Sequence, residues 1–178
     1  MNSFYSESEL HNLGFKHVGK NVKISRFARF YGEENIEIGD NVRIDDFCIL
    51  SGKIKLGNNI HISAYVALYG AMGIELKDNT GISARSTIYS AMDDFSGEFL
   101  IGPMQDETKT NVTGGKVTVE RYSQIGAHCL IFPSLIIGEG CAVGACSLIR
   151  CSLDSWGIYC GIPAKRIKER SKAMLRLL

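Results

Sequence analysis

The amino-acid sequence predicts an all-β chain wound into a parallel β-helix, a triangular prism of stacked six-residue sides. Three observations carry that prediction. Val119, Ile125, Ile131, Ile137, Val143 and Ile149 open consecutive six-residue blocks. The fifth residue of each block is again small or apolar: Ser123, Cys129, Leu135, Cys141, Ser147 and Leu153. The same phase runs upstream through Ile38, Ile44, Leu50, Leu56, Ile62 and Leu68. A period of six suits neither an amphipathic helix nor a series of hairpins; it is the mark of a hexapeptide solenoid.

Geometry explains why six residues suffice. Extended chain rises ~3.3 Å per residue, so a block covers about 20 Å, one flat strand and a corner. Three blocks close a coil of roughly eighteen residues. Because side chains alternate in and out along a strand, the opener points into the prism. The fifth residue points in beside the corner, where only a compact side chain fits. Stacked coils then bury one continuous core.

A chain of 178 residues makes one domain with short terminal additions. Its 45% apolar and 22% charged composition is that of a soluble globular protein, and a net charge of +1 argues against a nucleic-acid partner. There is no long apolar run for membrane insertion and no signal-peptide pattern at the N-terminus, so a cytoplasmic protein is expected. Of six cysteines, Cys48, Cys129 and Cys141 fall on the inward fifth position as packing residues. Cys146, Cys151 and Cys160 show neither C-x-x-C pairing nor a histidine cluster, so neither disulfides nor a metal site is expected.

Residues 1–17 are expected to cap the solenoid. Ser6 and Glu9 form a capping box ahead of Leu10 and Leu13, and Gly14 stops the short helix. Such a cap covers the open strand edges of the first coil. The solenoid spans 18–155, beginning imperfectly at Ile24 and Phe30. Two steps of eight, Phe30 to Ile38 and Leu68 to Leu76, carry Ile36-Glu37 and Ile74-Glu75 and are expected to be two-residue corner extensions. After Leu76, Ile82 and Ile88 the period lapses until Val119. The inserted loop, 92–116, is rich in Gly, Asp, Thr and Lys; flat solenoid faces offer no pocket, so a loop this long is the expected wall of one. Residues 156–178 are expected to form a turn and a basic amphipathic helix, with Ile167, Met174, Leu175 and Leu178 set among Lys165, Arg166, Lys168, Arg170, Lys172 and Arg176.

The tandem blocks, the loop between coils, and the ending Gly161-Ile162-Pro163-Ala164-Lys165-Arg166-Ile167-Lys168 together resemble the hexapeptide-repeat acyltransferases, over about residues 18–170. The stretch from Ile88 to Glu98 looks most like the sugar O- and N-acetyltransferases of surface-polysaccharide biosynthesis. The resemblance implies a left-handed coil, a homotrimer, and acetyl-CoA bound in a cleft between neighbouring prisms. It further implies acetyl transfer to a sugar hydroxyl or an amino sugar, free or nucleotide-linked, as in lipopolysaccharide or O-antigen synthesis. Closed threefold symmetry would also hide apolar outward residues on the flat faces.

Acyl transfer from a thioester needs a base for the acceptor proton, donors for the developing oxyanion, and a slot for the CoA arm. His11 and His17 lie in the cap, and His128 sits at an outward position suited to a structural role. His61, just before an opener, matches a histidine that lines the active site in relatives acting on nucleotide-linked amino sugars. It is also readable as a solvated corner residue. Relatives of the galactoside type carry their catalytic histidine at the start of the long loop, where this chain has Asp93, so their base does not carry over. Either His61 supplies the base from a neighbouring coil or subunit, or Asp93 or Asp94 does so, which demands a shifted carboxylate; adjacent aspartates also commonly cap turns. Tyr89, Asp94 and Ser96 are expected at the acceptor sugar. Backbone groups of Gly126, Ala127, Gly144, Ala145 and Ser147 are expected along the CoA arm, and Lys165 and Arg166 at its phosphates. No metal is expected. A competing reading is a non-catalytic β-helix scaffold of the γ-carbonic-anhydrase type, whose active members need three histidine ligands. Serine acetyltransferase is disfavoured because the chain lacks a large N-terminal helical region and a loop histidine.

Overall fold

The block openers stack in register into three internal columns. Ile24, Ile44, Ile62, Ile82, Ile125, Val143 and Tyr159 line the first face. Phe30, Leu50, Leu68, Ile88, Ile131 and Ile149 line the second. Val18, Ile38, Leu56, Leu76, Val119 and Ile137 line the third, which ends on Leu153; read from sequence as a fifth-position residue, Leu153 instead pairs with Ile137, because the last corner after Ile149 is two residues shorter. The computed structural model, which describes residues 3–177, is thus a parallel β-solenoid of about seven turns. Its one hydrophobic core runs the length of the prism.

The fifth positions fill the corners as expected. Cys48, Cys129 and Cys141 are buried, and each thiol donates to a carbonyl of the next coil: Ser63, Gly144 and Asp154, at 3.0, 3.2 and 2.9 Å. Cys146, Cys151 and Cys160 are exposed, and all six thiols are free. Corners also require left-handed backbone, which costs a non-glycine residue about 1 kcal/mol or more. One column answers this with asparagine: Asn21, Asn41, Asn59 and Asn79 all have positive φ. Their carboxamides hydrogen-bond from coil to coil, Asn21 to Asn41 at 2.8 Å and Asn41 to Asn59 at 3.1 Å. At the other such corner stand Phe47, Tyr65, Arg85, His128 and Cys146, which gives His128 a structural place.

All departures from the period fall at the corner between the second and third faces. The short 3-10 turn Glu33–Asn35 sits there. In the next strand pair the ladder shifts between Gly52 and Ile54, because Ala67–Leu76 carries two extra residues. The long loop leaves from the same corner, and its base is closed by Ala91–Asp93 pairing antiparallel with Val112–Gly114.

The two ends are covered differently. At the N-terminus the helix Glu7–His11 carries the expected capping box, Ser6 with Glu9. Glu9 also grips the Arg26 guanidinium of the first coil with two bonds of 2.8 and 2.6 Å. The expected C-terminal amphipathic helix is not formed. Lys165–Glu169 is instead a strand antiparallel to Gly157–Cys160, followed by the 3-10 turn Ala173–Leu177. The last parallel strand leaves a row of unpaired N–H and C=O groups, which a returning strand satisfies and a helix does not. Met1 and Asn2 of the expected cap, and Leu178 of the expected helix, lie outside the described residues.

Candidate active site

The outward side chains give the three faces different chemistry. On the third face Glu37, Lys55 and Glu75 follow one another in register. Flanking lysines pair across it, Lys16 with Glu37 and Lys116 with Glu75, both at 2.6 Å. This is a solvated ion-pair ladder. The second face presents Arg29, Ile49, Ala67, Thr87, Leu130 and Leu148 in one register column, apolar at four of its six places. Tyr69 and Tyr89 stack beside it at 5.1 Å.

On the first face the column before the openers reads Arg43, His61, Gly81, Gln124, Ala142. The residues just after the openers are Asp45, Ser63, Ser83, Gly126 and Gly144. The face is polar over the earlier coils and small-residued over the later ones. Asp45 accepts from Arg43 Nε and His61 Nε2, each at 2.7 Å. Burial raises the Asp45 pKa, but the His61 and Arg43 hydrogen bonds outweigh it and hold the carboxyl below the usual range. An ionised carboxylate only accepts, so the hydrogen between them belongs to His61 Nε2. In the neutral imidazole, Nδ1 is then the basic nitrogen. Two coils beyond His61, Gln124 Nε2 donates to Ser83 Oγ at 3.1 Å and to the Ile125 carbonyl at 3.2 Å.

Over the later coils the backbone itself is available. The amides of Gly126 and Gly144 are engaged by the ladder, donating to the carbonyls of Val143 and Tyr159 at 2.8 and 2.7 Å. Those of Ala127 and Ala145 donate to no atom among the described residues. A Cβ on Gly126 would lie 2.7 Å from the Ala145 nitrogen, so glycine there keeps that amide uncovered. Ser147 differs from expectation: it is 2% exposed, and its hydroxyl binds the Gly144 carbonyl at 2.7 Å and the Gly161 amide at 3.1 Å. It braces the turn carrying the Gly-x-Pro segment and is not on the surface of the rail. Its fifth-position phase is the reason.

At the loop, a cleft of about 370 Å³ is lined by Tyr89, Met92, Asp93, Phe95, Phe132 and Pro133. The two aspartates part company there. Asp94 accepts from the Ser96 amide at 2.7 Å and from Asn111 Nδ2 at 2.8 Å, bonds that lower its pKa, the Ser96 amide most. Asp94 thus ties the loop to its own base rather than facing the cleft. Asp93 lines the cleft with no hydrogen-bond or ion-pair partner among the described residues. Ser96 is exposed and its hydroxyl accepts from the Glu98 amide at 3.2 Å. Lys165 and Arg166 lie exposed on the returning strand, Arg166 paired with Glu169 at 2.6 Å.

A single chain therefore does not bring all the expected residues together. His61 and the rail share the first face, whereas Tyr89 and Asp93 sit at the loop corner of the other faces. Asp45, Ser83 and Gln124 were not singled out by sequence. For Asp45 and Ser83 the signal was a polar residue immediately after an opener, which the later coils replace by Gly126 and Gly144; Gln124 instead stands just before the opener Ile125. Among the described residues no group of three His, Cys, Asp or Glu side chains is placed to hold a metal ion. No helix among them is long and apolar enough to cross a membrane.

A parallel hexapeptide solenoid with a polar cluster leading into a rail of small residues defines a hexapeptide-repeat protein built for a long, extended ligand. Comparison with known proteins makes the class specific. No family model matches the chain. The dTDP-4-amino-4,6-dideoxy-D-glucose acyltransferase of Escherichia coli is 40% identical over 98% of this chain and 93% of its own length. AntD, an N-acyltransferase from Bacillus cereus solved with dTDP and 3-hydroxybutyryl-CoA, is 53% identical, with a TM-score of 0.97 over 99% of this chain and 95% of that one. A hexapeptide-repeat acetyltransferase of Vibrio cholerae, at 17% identity and TM-score 0.65 over 96% and 85% of the two chains, shares the fold. The chain belongs to the hexapeptide-repeat acyltransferases, the left-handed parallel β-helix family, and is a sugar acyltransferase.

Proposed function

We propose that this protein transfers the acyl group of an acyl-CoA to the amino group of a dTDP-linked 4-amino-4,6-dideoxy sugar. The observation that carries the reading is the near-complete alignment with the Escherichia coli acyltransferase and the Bacillus cereus N-acyltransferase. The CoA arm lies along Gly126, Ala127, Gly144 and Ala145, with the free amides of Ala127 and Ala145 for its carbonyls, and Lys165 and Arg166 meet its phosphates. The sugar enters the cleft at Tyr89 and Asp93.

The working unit is a homotrimer, because the cleft and the rail lie on different faces of one chain. The half-buried apolar places of the second-face column, Ile49, Ala67, Leu130 and Leu148, are the surface that packing would hide. A neighbour's loop then lies over the first face. AntD structures include variants at a serine and an aspartate ten residues apart, the spacing that joins Ser83 to Asp93 here. In the reaction the amine nitrogen attacks the thioester carbon, and the Ser83 hydroxyl donates to the developing oxyanion. The C–N bond forms and the C–S bond breaks. The amine proton passes to His61, oriented by Asp45, and finally to the CoA sulfur; Asp93 holds the amine. Both co-substrates are charged small molecules of the cytoplasm, and the product is a nucleotide-linked sugar of the kind assembled into surface polysaccharide.

The test is thiol release from acetyl-CoA and 3-hydroxybutyryl-CoA with dTDP-4-amino-4,6-dideoxyglucose and its 4-hydroxy counterpart. Turnover with the amine alone is expected, whereas turnover only with the hydroxyl sugar, or no CoA binding by calorimetry, sinks the reading. His61→Ala and Asp93→Ala each lower the rate, by roughly 10²-fold or more for the base. Full activity in both overturns the site assignment.

A further inference from the structure

Ser83 carries a hydroxyl that can either donate or accept, and the structure decides which. A single carboxamide atom of Gln124 meets both Ser83 Oγ, at 3.1 Å, and the Ile125 carbonyl oxygen, at 3.2 Å. A carbonyl only accepts, so that atom is the NH₂ nitrogen and the orientation of the amide is not interchangeable. The same NH₂ group therefore donates to Ser83 Oγ. No other hydrogen bond is made by Ser83 Oγ among the described residues, so its own O–H is left without an acceptor in the chain. The carboxamide is also held from below. A Cβ on Gly81, the register partner of Gln124, would collide with its oxygen. Glycine at that position leaves the space in which the amide lies against the sheet.

We propose that Gln124 is a positioning residue that orients Ser83 as a hydrogen-bond donor, aimed at the oxygen of the acyl thioester. The inference rests on the reading of Ser83 as the oxyanion donor and adds the group that sets its polarity. A serine free to rotate donates to the thioester oxygen in only part of its population. With one of its two lone pairs occupied by Gln124, the hydroxyl proton is turned away from the Gln124 side before the substrate arrives, and less reorganisation accompanies the step. Position 124 is therefore predicted to affect the chemical step and not the affinity for either substrate.

The experiment is steady-state kinetics with acyl-CoA and the dTDP-amino sugar on Ser83→Ala, Gln124→Met, Gln124→Glu and Ser83→Ala/Gln124→Met, with melting temperatures checked for each. Ser83→Ala is expected to lower kcat by about 10²-fold. Gln124→Met lowers kcat about tenfold, the scale of one misdirected hydrogen bond, with both KM values unchanged. Gln124→Glu lowers it at least as far, because a carboxylate accepts the serine proton and reverses the bond. In the double variant Gln124→Met costs nothing beyond Ser83→Ala. If Ser83→Ala loses rate but Gln124→Met keeps wild-type kcat, or if the two effects multiply, the positioning role is overturned while the role of Ser83 stands. If Ser83→Ala retains full kcat, the reading of Ser83 falls and the inference with it.

Discussion

Burial pushes the Asp45 carboxyl pKa upward, yet the hydrogen bonds from His61 and Arg43 bring it below its ordinary value of 3.8. Asp45 therefore stays an ionised acceptor at neutral pH, held by Arg43 and His61. A depressed pKa also favours the folded state above pH 3.8, a contribution lost as pH drops through the lowered value. At the residue scale the cysteines divide as sharply. Burial raises the Cys48 thiol to about 11 and pushes those of Cys129 and Cys141 upward, whereas Cys146, Cys151 and Cys160 are exposed. Titration of the native protein with a disulfide reagent should modify the exposed three rapidly and the buried three only on unfolding.

Among elements, the two caps are held by different physics, and each has its own test. The N-terminal helix is tied to the first coil by Glu9, whose carboxyl is held at about 2 by the Arg26 bonds foremost and by Ser6. The sign is that of a lowered carboxylate: the clamp is complete above pH 4.5, the ordinary value, and weakens as pH falls toward about 2. Protection factors of the Glu7–His11 amides, measured against the intrinsic rate at each pH, should fall across that window, and Arg26→Ala should reproduce the fall at neutral pH. The returning strand at the other end is stapled by Arg170, whose Nη1 donates to the carbonyls of Tyr122, Gly140 and Cys141 at 2.8, 3.0 and 3.2 Å. Lys172 adds a cation–π contact with Trp156 at 5.4 Å. Arg170→Ala is expected to loosen Lys165–Glu169 in hydrogen exchange and to raise KM for acyl-CoA more than KM for the sugar, since that strand carries Lys165 and Arg166. A KM effect confined to the sugar would contradict the placement of CoA.

As a whole molecule the solenoid couples one uniform core to an outer face whose register column is mostly apolar. Leu68 is fully buried between Leu50 and Ile88, so Leu68→Ala should cost about 2–5 kcal/mol in chemical denaturation, transmitted to neighbouring coils because each coil rests on the next. The assembly prediction follows from the second face. Sedimentation should give three times the 19.6 kDa chain mass, and Leu130→Asp with Leu148→Asp should yield smaller, inactive species that still carry the β signature in circular dichroism. A monomeric active wild type would overturn the trimer.

The period of six determined the coil, its three core columns, the buried cysteines and the place of the loop, because an inward side chain every sixth residue is a constraint each coil imposes on the next. The capping box at Ser6 was equally local and equally legible. The tertiary structure alone decided that Lys165–Glu169 is a strand, since an exposed edge outweighs an amphipathic pattern only once that edge exists. It alone separated Asp93 from Asp94, neighbours in sequence but one open to a cleft and one bound into a loop. Asp45 meets His61, and Gln124 meets Ser83, across coils rather than along the chain. Stacking brings together residues 16 and 41 positions apart, and no local pattern encodes which side chains then touch.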